Sequence, residues 1–216
     1  MASKKPVKTD TYHHGNLREA CIEMGLQYLR EGEMNFSMRD LARAIGVSHG
    51  APAKHFGNKD GLMAAIAEEG FRKFNGYLEQ IEKDHSDPTE TFYQMGKNYI
   101  RFGLDYPQHY KLMFALKMDK SDHPSLLEES SKSFGHLIEM VTWLQSEKVI
   151  KEGQPLNHAY CIWSSVHGLV SLAVDGRMNI AAQMGLIDPK ELEDQRKVLD
   201  DLVDQMLNSM MNGMKK

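Results

Sequence analysis

The sequence predicts an all-α protein. Apolar residues recur at positions i, i+3, i+4 and i+7 through almost the whole chain of 216 residues, which is the period of amphipathic helices. Alternating runs of β-branched residues, the pattern of half-buried strands, are not found. Because 41% of the residues are hydrophobic, a packed core is expected, in one large domain or two smaller ones.

Four helix starts carry capping signals. In each, a short polar side chain can accept hydrogen bonds from the free N–H groups of a first helical turn, and an acidic residue follows three residues later. Two of the four also have a proline at the first helical position, where its missing N–H costs least. The signals are Asn16 with Glu19, Ser37 with Asp40, Asp87-Pro88-Thr89-Glu90, and Asp188-Pro189-Lys190-Glu191.

About nine helices are predicted after a polar tail over residues 1–11. The N-terminal helices cover residues 16–31, 38–45, 49–55 and 59–83. The helices of the remaining body cover residues 88–104, 107–117, 124–148, 155–183 and 189–211, with a bend expected at Gly176, between Asp175 and Arg177.

Charge is divided unevenly along the chain. The net charge is −4, yet residues 1–62 carry nine Lys and Arg against seven Asp and Glu, whereas the rest carry seventeen against twenty-three. Any surface that binds nucleic acid is therefore expected at the N-terminus.

Several classes of protein find no support in the sequence. No apolar run of about 18 residues and no apolar leader are found, so a cytoplasmic protein without membrane contact is expected. Cys21 and Cys161 lie in helical patterns without paired spacing, which predicts two reduced, buried thiols. His13 and His14 are the only close histidine pair and would point about 100° apart on a helix, so no metal site is expected. No catalytic motif is found either, and neither catalytic residues nor a cofactor are expected.

Residues 36–62, FSMRDLARAIGVSHGAPAKHFGNKDGL, have the pattern of a helix-turn-helix. Ser37 caps a short helix whose Leu41, Ala42 and Ile45 share one face, and Gly46 then makes a tight turn. A basic three-helix unit of this kind can also be a plain packing element, so both interpretations are open on pattern alone.

The helix after the turn has a small N-terminus. Ser48 or His49 begins it, Gly50 leaves its end narrow, and Pro52 falls in or just after its first turn. A narrow helix end can approach DNA closely, so His49 and Lys54 could reach base edges or phosphates in a major groove.

The following helix is expected to begin with a phosphate-binding end. Asn58 is positioned to cap it, which places Lys59 beside the free backbone N–H groups of the first turn.

Together with TYHHGNLREA at residues 11–20, this block resembles the TetR family of bacterial transcription regulators. The resemblance is specific over roughly the first 70 residues and rests on length and helical pattern beyond them. It implies a helix-turn-helix DNA-binding domain over residues 12–62, a connecting helix over 63–85, and an effector-binding and dimerisation domain over 86–216. Because most relatives repress, the expected function is a homodimeric repressor that binds a palindromic DNA operator and is released by a small-molecule effector.

The resemblance also implies which residues contact DNA. Ser37 and Arg39 would contact the DNA backbone. His49, Gly50 and Lys54 would lie in the major groove, and His55 with Lys59 would hold phosphates. The expected set is Ser37, Arg39, Ser48, His49, Gly50, Lys54, His55 and Lys59. One position departs from the family pattern, since Ala53 stands where an aromatic residue is usual, two places before the His-Phe pair. His13 either helps to hold DNA or simply precedes the first helix.

The C-terminal body is rich in bulky residues at helical spacing, as in LDYPQHYKLMF at residues 104–114. Aromatic-lined cavities between helices bind small molecules, although such a stripe can equally be plain core. The residues expected at an effector pocket are Phe102, Tyr106, Tyr110, Met140, Trp143, Trp163 and His167.

His167 has two interpretations. Trp163, His167 and Gly168 form a Trp-x-x-x-His-Gly element that resembles one found in the C-terminal domain of a TetR subgroup. The histidine either orients an effector or forms a hydrogen bond with a neighbouring helix, because a buried imidazole needs a partner in both cases.

The last helix has a broad apolar stripe that includes Leu199, Val203 and Leu207. It can be buried in the core or against another subunit, and the resemblance implies a four-helix interface from the last two helices of each protomer.

The alternative to an effector-released repressor is a DNA-binding or scaffolding protein that senses no small molecule.

Overall fold

The computed structural model describes residues 16–84, 87–116, 119, 122–186, 188, 190 and 195–215, and this part of the chain is all α, as predicted. It contains ten helices rather than nine. They are α1 (Leu17–Arg30), α2 (Met38–Ile45), α3 (Ala51–Phe56), α4 (Lys59–Asp84), α5 (Pro88–Asp105), α6 (Pro107–Ala115), α7 (Pro124–Ser146), α8 (Pro155–Val174), α9 (Ile180–Gln183) and α10 (Gln195–Met214). The predicted tail over 1–11, His13 and His14, and residues 189 and 191–194 of the predicted last helix lie outside the described residues.

The capping signals predicted at the starts of α1 and α5 form the expected hydrogen bonds. Asn16 accepts a hydrogen bond from the Glu19 N–H at 3.4 Å. Asp87 accepts from the N–H groups of Thr89 and Glu90 at 2.7 and 3.0 Å. Asp188 accepts from the Lys190 N–H at 2.9 Å, so the polar contact predicted there forms as well.

Two predicted helices have different bounds. The segment predicted as one helix over 155–183 ends at Val174, because Gly176 adopts a φ of +69°, and the short α9 follows. The bend expected at Gly176 is therefore a helix end. Helix α3 begins at Ala51 rather than at Ser48 or His49, since those two residues form the turn that precedes it.

The protein has two hydrophobic cores. The smaller lies among α1, α2 and the start of α4, and its fully buried members include Cys21, Leu41, Leu62 and Ile66. The larger joins α4, α5, α6, α7, α8 and α10 and includes Phe92, Phe102, Leu144, Val170 and Leu207. The 26-residue α4 belongs to both cores, so it connects them directly.

The cysteines differ from the prediction in one respect. Cys21 is buried, as expected, whereas Cys161 is exposed. The reason is its place on α8: the buried residues Ala159, Ile162 and Val166 define the inward face of that helix, and Cys161 lies on the other side.

Glycine is required at the start of α4. A Cβ atom at Gly61 would lie 1.9 Å from the backbone carbonyl oxygen of Phe56, which closes the α3–α4 turn. At Gly76, farther along the same helix, an added Cβ would meet nothing within 4 Å. These two positions form a matched pair.

We expect Gly61→Ala to lower the free energy of unfolding by about 1–3 kcal/mol, because the methyl group forces the turn apart. Gly76→Ala should raise it by about 0.5–1 kcal/mol, since alanine is the better helix former. Urea denaturation followed by circular dichroism measures both, and equal effects of the two substitutions would contradict the packing argument.

Candidate DNA-binding surface and effector cavity

The first helix of the helix-turn-helix is fixed by a reciprocal cap. The Ser37 hydroxyl accepts from the Asp40 N–H at 3.2 Å and donates to the Asp40 carboxylate at 2.6 Å, while the Ser37 N–H donates to the same carboxylate at 3.0 Å. These donors lower the pKa of Asp40. The cap therefore holds Ser37 in a structural contact and sets the direction in which α2 leaves its loop.

The turn between α2 and α3 closes on glycine. Gly46 adopts a φ of +74°, a conformation that favours glycine, and its N–H bonds to the carbonyls of Ala42 and Arg43. The Val47 N–H donates to the Ala42 carbonyl at 3.0 Å, which completes the turn. Gly50 then precedes α3, and no side chain caps this helix.

Most of the expected DNA contacts are exposed. They lie on α2, on the turn after it and on α3. The exposed ones are Ser37, Arg39, Ser48, His49, Gly50, Lys54 and His55. Ala53, which takes the place of the family's usual aromatic residue, is also exposed, so no other side chain covers that position.

Lys59 differs from the rest of the set because its ammonium already has internal partners. It donates to the backbone carbonyl of Met34 and lies 4.4 Å from the centre of the Phe36 ring. Asn58 caps α4 as predicted, since its side chain accepts from the Gly61 N–H at 2.9 Å. Lys59 thus ties the start of α4 to the loop before α2, and an ammonium has three donors, so one contact does not exhaust it.

A cavity of about 440 Å³ lies in the larger core. Side chains from α4, α5, α7 and α8 form most of its wall, together with Phe114 of α6 and Leu207 of α10. A volume of this order is within the range of about 300–1,000 Å³ that is usual for small-molecule sites.

The structure separates the seven residues expected at an effector pocket. Met140 and Trp163 line the large cavity. Tyr110 and His167 line a second cavity of about 340 Å³ beside the Lys111–Asp175 ion pair. The other three are not at either cavity: Phe102 is fully buried core, and Tyr106 and Trp143 pack half-buried against that core.

A polar cluster lies between the two cavities. The His167 Nδ1 atom is 2.6 Å from the Tyr110 hydroxyl and 3.0 Å from the Tyr99 hydroxyl, and the Trp163 indole N–H donates to the Tyr99 hydroxyl at 3.2 Å. Burial lowers the pKa of His167 and raises that of Tyr99 well above its usual range. A neutral imidazole that accepts at Nδ1 carries its proton on Nε2, and it joins α8 to α5 and α6.

Several cavity residues were missed by sequence analysis. Phe71, Phe74 and Leu78 of α4 line the wall at the spacing i, i+3, i+7, a signal that the sequence did carry within the predicted connecting helix. Three serines of α7 also line it: Ser130, Ser131 and Ser133. Serine on a helix is usually solvent-facing, so no local pattern indicates these three.

A polar contact ties α7 to α4 next to the cavity. The buried Asn75 side chain donates to the Glu129 carboxylate at 2.8 Å and accepts from the Ser133 hydroxyl at 2.6 Å. Arg72 of α4 lies 3.3 Å from the same carboxylate. Buried polar groups with complete hydrogen bonding favour one relative position of two helices. We therefore expect α7 to move together with α4.

Helix α6 connects the cavity to the DNA-binding domain. Tyr110 and Met113 pack in the larger core, whereas Leu112, two residues from Tyr110, is buried in the smaller core with α1 and α4. The His109 imidazole lies 3.6 Å from the Glu69 carboxylate of α4. His109, with Lys73 beside it, lowers the pKa of Glu69 to about 2.

Among the described residues no group of three or more His, Cys, Asp or Glu could hold a metal ion. No helix in the described ranges is long and apolar enough to cross a membrane.

The exposed, cap-anchored helix-turn-helix and the helical body with its internal cavity define a DNA-binding regulator of transcription. The family described as "Bacterial regulatory proteins, tetR family" matches residues 29–66, and "Tetracyclin repressor-like, C-terminal domain" matches residues 92–195. The chain belongs to the TetR family.

Solved structures share the whole fold. A protein of unknown function from Rhodococcus sp. RHA1 has 26% identity and a TM-score of 0.76, and the match covers 96% of this chain and 100% of that one. The TetR regulator PfmR from Thermus thermophilus has 14% identity, a TM-score of 0.66 and coverage of 91% and 99%. The fatty acid degradation regulator FadR from Bacillus halodurans has 14% identity, a TM-score of 0.68 and the same coverage. No curated protein sequence matches the chain.

The half-buried position of His167 predicts a pH dependence of stability. Burial lowers the pKa of His167 from the ordinary 6.5, so the imidazole takes up a proton at a higher pH in the unfolded chain than in the folded protein. The contribution of His167 to stability is present above pH 6.5 and is lost as the pH falls through the lower, folded pKa.

We therefore expect wild type to lose stability on acidification relative to His167→Asn, whose amide does not titrate. Urea unfolding between neutral pH and about pH 5 measures the difference. Parallel stability curves for the two proteins would show that His167 is not held neutral by burial.

Proposed function

We propose that this regulator is a homodimeric repressor. It binds a palindromic operator through α2, the turn and α3 of each protomer, and it is released when a small molecule occupies the 440 Å³ cavity. Acting on bacterial DNA, it would work in the cytoplasm. The observation that carries the proposal is the sharing of α4 and α6: both helices contribute to the cavity wall and to the core of the DNA-binding domain.

The DNA-binding part of the proposal rests on exposure and charge. Arg39, His49, Lys54 and His55 are exposed, and no ion pair within the described residues occupies any of them. Because α3 begins only after Gly50, its first turn is narrow enough for close approach to a major groove. Ser37 and Lys59 act mainly through the internal contacts described above, with the remaining donors of Lys59 available to a phosphate.

Release follows from differential binding. A ligand shifts DNA affinity only if it prefers one arrangement of α4 and α6 over the other. A hundredfold loss of operator affinity requires a preference of about 2.7 kcal/mol, which is within the usual range of coupling between two sites. Phe71 and Phe74 of α4 and Phe114 of α6 line the cavity, so an occupant would contact both helices directly.

Dimerisation rests on an exposed face of α8. Two large apolar side chains, Leu156 and Leu172, are about half exposed there, at 47% and 48%. Cys161 and Gly168 are exposed small residues of the same helix, which allow close approach of another helix. A second copy of the chain would cover this face together with the half-buried Leu202, Met206 and Met210 of α10. The two α3 helices could then read half-sites about 34 Å apart.

We expect Lys54→Ala and His49→Ala each to weaken binding to the preferred operator by about 1–3 kcal/mol and to change which sequence is preferred. The operator is obtained by selection from random duplex DNA, and affinity is measured by fluorescence anisotropy. Lys151→Ala is the matched control, because Lys151 is exposed and follows Ile150 of the larger core, outside the helix-turn-helix.

The salt dependence of binding distinguishes contacts with DNA phosphates from contacts with base edges. Removal of a phosphate contact should reduce the slope of log affinity against log salt by about one. Unchanged affinity and preference in the His49/Lys54 double variant would mean that α3 does not lie in the groove.

A second pair of variants tests the dimer. An arginine at Gly168 would place a charge on the proposed α8 interface, so we expect Gly168→Arg to be a monomer with much weaker operator binding. Gly76→Arg adds the same side chain at an exposed, unobstructed glycine of α4 and should stay a dimer. Sedimentation velocity measures both, and a dimeric Gly168→Arg protein would place the interface elsewhere.

The alternative is a DNA-binding or scaffolding protein that senses no small molecule. The exposed Ala53 favours it, because the usual aromatic contact with DNA is absent at that position. Operator affinity that stays constant with every ligand shown to occupy the cavity would support this alternative over the effector-released repressor.

A further inference from the structure

The wall of the large cavity carries no formal charge. Among the described residues that line it there is no Asp, Glu, Lys, Arg or His, and aromatic or aliphatic side chains form most of the surface. A charged group placed against such a wall would lose its hydration without gaining a partner, which costs several kcal/mol or more. The part of an effector that enters the cavity is therefore uncharged.

Burial gives the cavity an inner and an outer end. Phe92, Met140 and Leu207 are at most 4% exposed and mark the inner end. Leu127 of α7 and Tyr160 of α8 are 43% and 52% exposed and mark the mouth. A ligand would enter between α7 and α8 and place its apolar end against α5 and α10.

The polar groups of the wall are concentrated on α7. The Ser130 hydroxyl donates to the Leu127 carbonyl at 3.1 Å, so its oxygen still can accept a hydrogen bond. Ser131 is exposed beside it, and its hydroxyl forms no hydrogen bond with the described residues. Tyr99, by contrast, forms a hydrogen bond with His167 and accepts one from the Trp163 indole N–H, so the polar groups of these two side chains already have partners.

We infer that the effector is an uncharged amphipathic molecule: an apolar chain or ring system fills the inner cavity, and a neutral hydrogen-bonding group such as a hydroxyl lies at Ser130 and Ser131 near the mouth. This inference rests on the proposed function, because it takes the cavity as the effector site. It excludes ligands whose carboxylate or ammonium group would have to lie inside the cavity against its uncharged wall.

Three probes with one decyl chain test the class of ligand: decanol, decanoate and decyltrimethylammonium. The readout is the fluorescence of Trp163, which lines the cavity, in a Trp143→Phe protein that removes the only other tryptophan. We expect saturable binding of decanol and binding of both ions that is at least about tenfold weaker. Equal affinity for either ion, or no response to any probe up to its solubility limit, would overturn the inference.

A matched pair of serine variants tests the position of the polar group. Ser130 and Ser146 both lie on α7 and both donate to the carbonyl three residues earlier, but only Ser130 lines the cavity. We expect Ser130→Ala to weaken decanol binding by about two- to tenfold, the value of one hydrogen bond, and Ser146→Ala to leave it unchanged. Equal decanol affinity in the two variants would mean that the hydroxyl group of decanol does not bind at Ser130.

Operator binding is measured separately, so the two proposals fail in distinguishable ways. If the unliganded protein binds its selected operator but no probe binds the cavity, the ligand class is wrong and DNA recognition stands. If decanol binds and operator affinity stays constant, the ligand class stands and release by cavity occupation is wrong.

Discussion

Helix α6 packs closely against α4, and this contact links the two hydrophobic cores. A Cβ atom at Gly70 of α4 would lie 2.6 Å from the Met113 sulfur and 3.1 Å from the His109 Cβ of α6, so any larger residue would displace these two side chains. The Glu69–His109 contact lies beside it. With the two helices this close, Leu112 reaches the smaller core while Tyr110 and Met113 stay in the larger one.

Because of this packing, α4 and α6 contribute residues to both hydrophobic cores. The cavity wall includes Phe71 of α4 and Phe114 of α6, whose rings lie 5.9 Å apart in an edge-to-face contact. Asn75 and Ser133 tie α7 to α4. A molecule inside the cavity therefore contacts the same helices that position the helix-turn-helix, and close-packed interiors pass on such displacements because they do not compress.

The candidate sites differ in how far the sequence predicted them. The helix-turn-helix could be located residue by residue, because caps, turn glycines and periodicity act over a few neighbours, as at Ser37 and Gly46. The effector cavity could not. Met140 and Trp163 line it, but Phe102, with the same apolar and helical signal, is fully buried core. Which apolar residue borders empty space depends on how several helices pack.

The all-α fold, most helix bounds and the TetR-type helix-turn-helix could be predicted from the sequence, because hydrophobic periodicity and capping are local properties of the chain. Only the packing of the helices explains that Cys161 is exposed and that His167 contacts two tyrosines from α5 and α6. Each of these depends on which face of a helix meets a distant segment, and the cost of burying a side chain is set by that partner.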